Sequence, residues 1–125
     1  MKTKQRDIFD ERKNFQPYDY PDLIPYADAI NKSYWIVSEY NFTKDVQDFR
    51  TKLSDTERSI IERSMLAISQ IEVSVKNYWA KLYDRLPKPE VAIVGMTFAE
   101  SEVRHSRAYS ELLRVLGLQD SFEDL

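Results

Sequence analysis

The chain has 125 residues, a net charge of −3 and no cysteine. That length suits one small domain or part of a larger one, and the mild acidity without any basic run gives no reason to expect a nucleic-acid partner. The missing cysteine excludes disulfides and thiolate chemistry, so any metal must be held by oxygen and nitrogen donors.

The N-terminal MKTKQRDIFDERKNF is charged and lacks an apolar core, so it does not read as a secretory signal. No run approaches the ~20 apolar residues that span a bilayer. The expectation is a soluble, cytoplasmic protein with no membrane partner. Only two glycines, Gly95 and Gly117, are present. A β-protein needs many tight turns, so long helices and an all-α fold are expected. Met1 to Gln16 is polar and unpatterned, and PYDYPDLIP carries Pro17, Pro21 and Pro25. Residues 1–25 therefore read as an N-terminal arm, and residues 26–125 as the folded part.

Tyr26 to about Tyr40 reads as a short helix carrying Trp35, followed by a loop, NFTKDVQDF, anchored by Phe42, Val46 and Phe49. SDTE, from Ser54 to Glu57, fits a capping box, with serine at the N-cap and glutamate three residues on. No proline or glycine follows until Pro87. Ile61, Met65, Ile68, Glu72, Val75, Trp79, Leu82 and Leu86 recur in steps of four and three, which is one helical face. The spacing predicts a single rod of roughly 33 residues, ~50 Å at ~1.5 Å per residue, a length suited to a bundle. LPKP, from Leu86 to Pro89, ends it and opens the next helix, since proline is tolerated in a first turn. The second face runs Val91, Gly95, Phe98, Glu102, His105, Tyr109, Leu112 and Leu116, with Gly117 as its C-cap. LQDSFEDL then starts another element.

Glu72 interrupts the first apolar face; Glu102, His105 and Tyr109 interrupt the second. His105 is the sole histidine of the chain. A carboxylate on such a face costs several kcal/mol unless it is paired or bound to a metal. Glu102 and His105 form Glu-x-x-His, with two ligand types adjacent at i and i+3. Carboxylate-bridged di-metal bundles use one Glu-x-x-His on each of two helices and a lone Glu on each of two others, so Glu72, Glu102 and His105 amount to half a dinuclear site. A lone Glu-x-x-His also arises by chance, and a histidine on an apolar face is more often a satisfied core residue. Glu72 on its own face is what favours a metal. Tyr109, Trp35 and Trp79 taken singly read as core or anchoring aromatics, and Glu100, Arg104 and Arg107 as surface or ion-pair residues.

ERSMLAISQIEVSVK, from Glu62 to Lys76, and FAESEVRHSRAYSELL, from Phe98 to Leu113, resemble the first two ligand helices of the radical-generating small subunit of class I ribonucleotide reductase. The resemblance covers the chain from about Tyr34 onward. It implies a ferritin-like helical bundle, of which this is the N-terminal half, completed by another chain or a missing segment. It also implies metal ligands at Glu72, Glu102 and His105, with Glu102 bridging. Tyr109 matches the tyrosine oxidised to a stable radical. Trp35, on a weaker motif, matches a tryptophan on the long-range electron path. The implied cofactor is a dinuclear centre (iron–iron, manganese–iron or manganese–manganese) with oxygen or superoxide as activating oxidant. The implied partners are a second chain carrying the remaining Glu and Glu-x-x-His, the large subunit that reduces ribonucleotides, and a further copy in a dimeric assembly. Glu72 and Glu102 speak against the family branch that has lost its metal, and Tyr109 against the branch with phenylalanine in place of the radical tyrosine. Two other classes compete: a related ferritin-like di-metal oxidase, and a non-enzymatic helical interaction module with incidental polar core residues.

Overall fold

A computed structural model describes residues 7–125; the first six residues of the expected arm lie outside the described residues. Those described are helical and irregular, with no strand among them. The helices are α1 (Ile24–Lys32), α2 (Thr43–Thr51), α3 (Asp55–Ala80), α4 (Leu82–Arg85), α5 (Pro89–Leu116) and α6 (Gln119–Glu123), with single 3-10 turns at Pro21–Leu23 and Val37–Glu39.

The ends of the two long helices follow from their sequence. Glu57 N–H donates to Ser54 Oγ at 3.2 Å and Ser54 N–H donates to Glu57 Oε2 at 2.8 Å, which completes the expected capping box at the start of α3. Pro89 opens α5, where its missing N–H costs nothing. At the other end Gly117 takes a φ of 72°, Leu118 N–H reaches the Leu113 carbonyl and Gly117 N–H the Arg114 carbonyl. This pairing is a Schellman motif, and Leu113 and Leu118 make its usual apolar contact as members of one buried cluster.

Three expectations fail. The helix around Tyr26 ends at Lys32, because the Ser33 hydroxyl bonds back to the Ala29 and Ile30 carbonyls and the following Tyr-Trp-Ile-Val run is a poor helix former. Trp35 therefore lies on an irregular segment. The expected loop is instead α2: Asn41 Oδ1 accepts from Thr43 N–H at 2.9 Å, and Lys52 pairs with Asp48 one turn away at 2.9 Å. The first long rod stops at Ala80, and its last turn is the separate α4.

The chain divides into two compact units, one of Met1–Tyr34 with Val75–Ser101, the other of Trp35–Ser74 with Glu102–Leu125. In the first, Trp79 and Phe98 stack with ring centres 4.7 Å apart. Gly95 lies so close to the Trp79 carbonyl that an added Cβ would sit 2.7 Å from the oxygen. Here the expected arm is tied to the start of α5. Arg12 N–H donates to the Pro87 carbonyl, Asp19 accepts from Arg12 and, at 3.2 Å, from Lys88, and Tyr20 N–H donates to the fully buried Glu90 at 2.7 Å. In the second unit α3 and α5 run antiparallel: Ser106 donates to the Glu72 carbonyl, while Leu66 and Leu113 share the core with Leu118.

Candidate metal centre

Position and helical geometry build the site within the second unit. Glu72 stands on α3, Glu102 and His105 one turn apart on α5. One ligand atom from each of the three lies within 4.8 Å of the others. His105 Nδ1 is 2.9 Å from Glu102 Oε2 and 3.9 Å from Glu72 Oε2. The carboxylate side chains are only 15% and 17% exposed, against 35% for the imidazole, so the charges sit where water screens them weakly. The Ser106 hydroxyl, hydrogen-bonded to the Glu72 carbonyl, ties the two helices together beside the cluster.

Aromatic rings surround this cluster. Trp35 stacks on His105, with centres 5.7 Å apart and planes 20° from parallel. Tyr109, half-buried, follows His105 by one helical turn and lines two cavities, of about 250 and 400 Å³, that Glu72 also lines. The larger one includes Trp35, Tyr40 and His105 in its wall. All five residues singled out in the sequence are thus gathered in one unit.

Arg104 departs from its expected place on the surface. It is 6% exposed, not a surface residue, and its guanidinium donates to the Trp35 carbonyl at 3.1 Å. That bond holds an irregular segment in place over His105. Its signal was weak: a cation directly before a ligand-type histidine, off the apolar face. The first face also needs shifting. Leu66 and Ser69 are the buried positions on α3, whereas Ile61 and Ile68 are 38% and 42% exposed.

The donor set fits part of a di-metal centre. Two carboxylates and an imidazole suit iron or manganese, and their spacing on facing helices is that of half a carboxylate-bridged site. Three donors do not fill the coordination of two ions.

Residues 12–124 match the family model described as ribonucleotide reductase, small chain. Among curated proteins, the chain is 27% identical over 110 residues to the probable ribonucleoside-diphosphate reductase small subunit 048L of Invertebrate iridescent virus 3, and 31% identical over 111 residues to its counterpart 376L of Invertebrate iridescent virus 6. Each match covers 88% of this chain but only 29% and 31% of the relatives, so the chain spans about a third of their length. Its all-helical structure is consistent with the ferritin-like bundle of that family. With its carboxylate–histidine cluster and this match along nearly its whole length, the chain belongs to the ribonucleotide reductase small-chain family.

Proposed function

We propose that the chain is the N-terminal portion of a radical-generating small subunit of class I ribonucleotide reductase, with residues 1–25 an arm and 26–125 part of the di-metal bundle. The observation that carries this reading is the convergence of Glu72, Glu102 and His105 within 4.8 Å. A divalent cation between the three would offset the repulsion of two carboxylates this close.

Each residue has a role in this account. Glu72, Glu102 and His105 hold a dinuclear iron or manganese centre, with further ligands from a segment or chain carrying another Glu and another Glu-x-x-His. Bound there, the metals supply the oxidising power, with oxygen or superoxide as oxidant. Tyr109 is the electron donor that becomes the stored radical, its phenol sheltered in the wall of the two cavities. Trp35, stacked on His105, carries electrons between the centre and the outside. Arg104 fixes the backbone of Trp35. The large subunit uses the stored oxidising equivalent to reduce ribonucleotides. Support for a covering protein surface comes from α3, where Ile60, Ile71 and Val73 are 60%, 63% and 56% exposed, an unusual apolar density for a finished surface. No helix of the described residues is long and apolar enough to cross a membrane; a cytoplasmic location is part of the proposal.

The test is reconstitution of the chain with the segment that supplies the remaining ligands, iron or manganese, and oxygen, followed by electron paramagnetic resonance. A tyrosyl signal is expected, abolished by Tyr109→Phe with metal content nearly unchanged, because the phenol is not a ligand. A signal that survives Tyr109→Phe places the radical elsewhere. Metal binding without deoxynucleotide formation in the presence of a large subunit favours the di-metal oxidase, and absence of metal binding favours the interaction module.

A further inference from the structure

Trp35 has two aromatic neighbours. One face stacks on His105, and the Tyr40 ring meets Trp35 edge-on with centres 5.8 Å apart and planes at 84°. This is a favoured aromatic geometry. Tyr40 in turn stacks on Phe42 at 6.5 Å. Tyr40 is 56% exposed, whereas Trp35 is half-buried. The rings His105, Trp35 and Tyr40 therefore run from the carboxylate cluster to solvent without a gap. Of the two outer rings only Tyr40 is readily oxidised, because a phenol can lose a proton with its electron and a phenyl ring cannot.

We propose that Tyr40 is the outer redox station of this path, passing an electron inward to oxidised Trp35 and its phenolic proton to water. The inference rests on the reading of Trp35 as an electron-transfer residue. The step balances: an indole radical cation and a phenol give an indole, a phenoxyl radical and one proton. The only bond broken is the Tyr40 O–H, and no bond between heavy atoms changes. The oxidant that takes the electron from Trp35 is a one-electron oxidant at the Glu72–Glu102–His105 cluster. Exposure of Tyr40 is what the step requires, since the proton must leave with the electron.

A plainer role for Tyr40 is as an aromatic wall of the larger cavity. Phenylalanine would serve that role equally well, so Tyr40→Phe separates the two. The experiment is pulse radiolysis of the full chain with azide radicals, which oxidise indoles directly, so no metal is needed. In a Trp79→Phe background Trp35 is the sole indole. Its radical is expected to decay into phenoxyl at a rate independent of protein concentration, and Tyr40→Phe is expected to slow that decay several-fold. Tyr34→Phe, which removes the other exposed phenol next in sequence, is expected to leave it unchanged. An unchanged decay in Tyr40→Phe, or slowing by Tyr34→Phe alone, overturns the proposal. If Trp79→Phe does not fold, Tyr40→Phe and Trp35→Phe are compared singly and together with Trp79 in place. Non-additive losses of phenoxyl yield support the path, and additive losses contradict it. Because the azide radical bypasses the metals, failure here leaves the metal assignment standing, and failure of metal binding leaves this result readable.

Discussion

In the unit built around the start of α5, the acidic side chains Asp19 and Glu90 meet cations and a backbone N–H: Asp19 faces Arg12 and Lys88, and Glu90 accepts from Tyr20. In the unit built around its second half, Glu72 and Glu102 point toward one another and toward His105. The residue types are alike and the surroundings differ. Asp19 is held by lysine and arginine, a pairing that folding alone accounts for, whereas Glu90 keeps its Oε2 buried with no hydrogen-bond partner among the described residues. Glu72 and Glu102 differ in converging with an imidazole from facing helices, where a shared cation would offset the cost of bringing like charges together. Burial alone thus does not mark the candidate site; convergence does.

The largest expected effect breaks or secures that contrast. His105→Ala should weaken binding of Mn(II) by ~100-fold or more, since loss of a ligand exceeds the ~10–100-fold typical when a ligand's supporting partner is removed. Glu90→Gln, in the other unit, should leave it unchanged. Calorimetric titration of both variants checks this, and equal losses would mean that the two kinds of carboxylate do not differ as described.

Stability effects come next. Gly95→Ala should destabilise the chain by ~1–3 kcal/mol, the usual range for overpacking, because the new Cβ would meet the Trp79 carbonyl oxygen at 2.7 Å, a backbone atom that cannot rotate away. Urea unfolding measures it, and a neutral result would show that α5 can retreat there. Ser54→Ala should cost ~1 kcal/mol, the typical worth of an N-cap, since both bonds of the capping box are formed.

The smallest effect is a pH dependence in the first unit. Burial pushes the Asp19 carboxyl up, but the hydrogen bond and charge of Lys88 and those of Arg12 outweigh it and hold the group below its usual 3.8. A carboxyl lowered by folding contributes stability above its unfolded pKa and loses it as pH falls through its folded pKa. The contribution of Asp19 should therefore fade only below 3.8. Lys88→Met should shrink it, flattening the acid limb of a plot of urea midpoint against pH. Superimposable limbs for the two proteins would show that the Lys88 pair contributes nothing.

What could be read from residues alone depended on how local the cause was. The capping box, the Pro89 start and the Gly117 stop are set within a turn of chain, and each is found where the pattern puts it. The helix α2 has a weaker local signal: Phe42, Val46 and Phe49 are spaced four and three, but three apolar residues in a polar segment also fit an anchored loop. The break between α3 and α4 has no local marker, since neither proline nor glycine lies there. The placement of Arg104 depends on an irregular segment 69 positions away in sequence, and no periodicity reports such a bond. The candidate cluster was legible because helical spacing fixes Glu102 beside His105, while Glu72 stood out as a charge on an apolar face.

The most direct measurement is anomalous diffraction from crystals of the full chain soaked in Mn(II). The account predicts a manganese peak within bonding distance of His105 Nδ1 and of carboxylate oxygens from Glu72 and Glu102. A peak bound elsewhere, or a soaked structure with the three side chains turned apart and no metal between them, would contradict it.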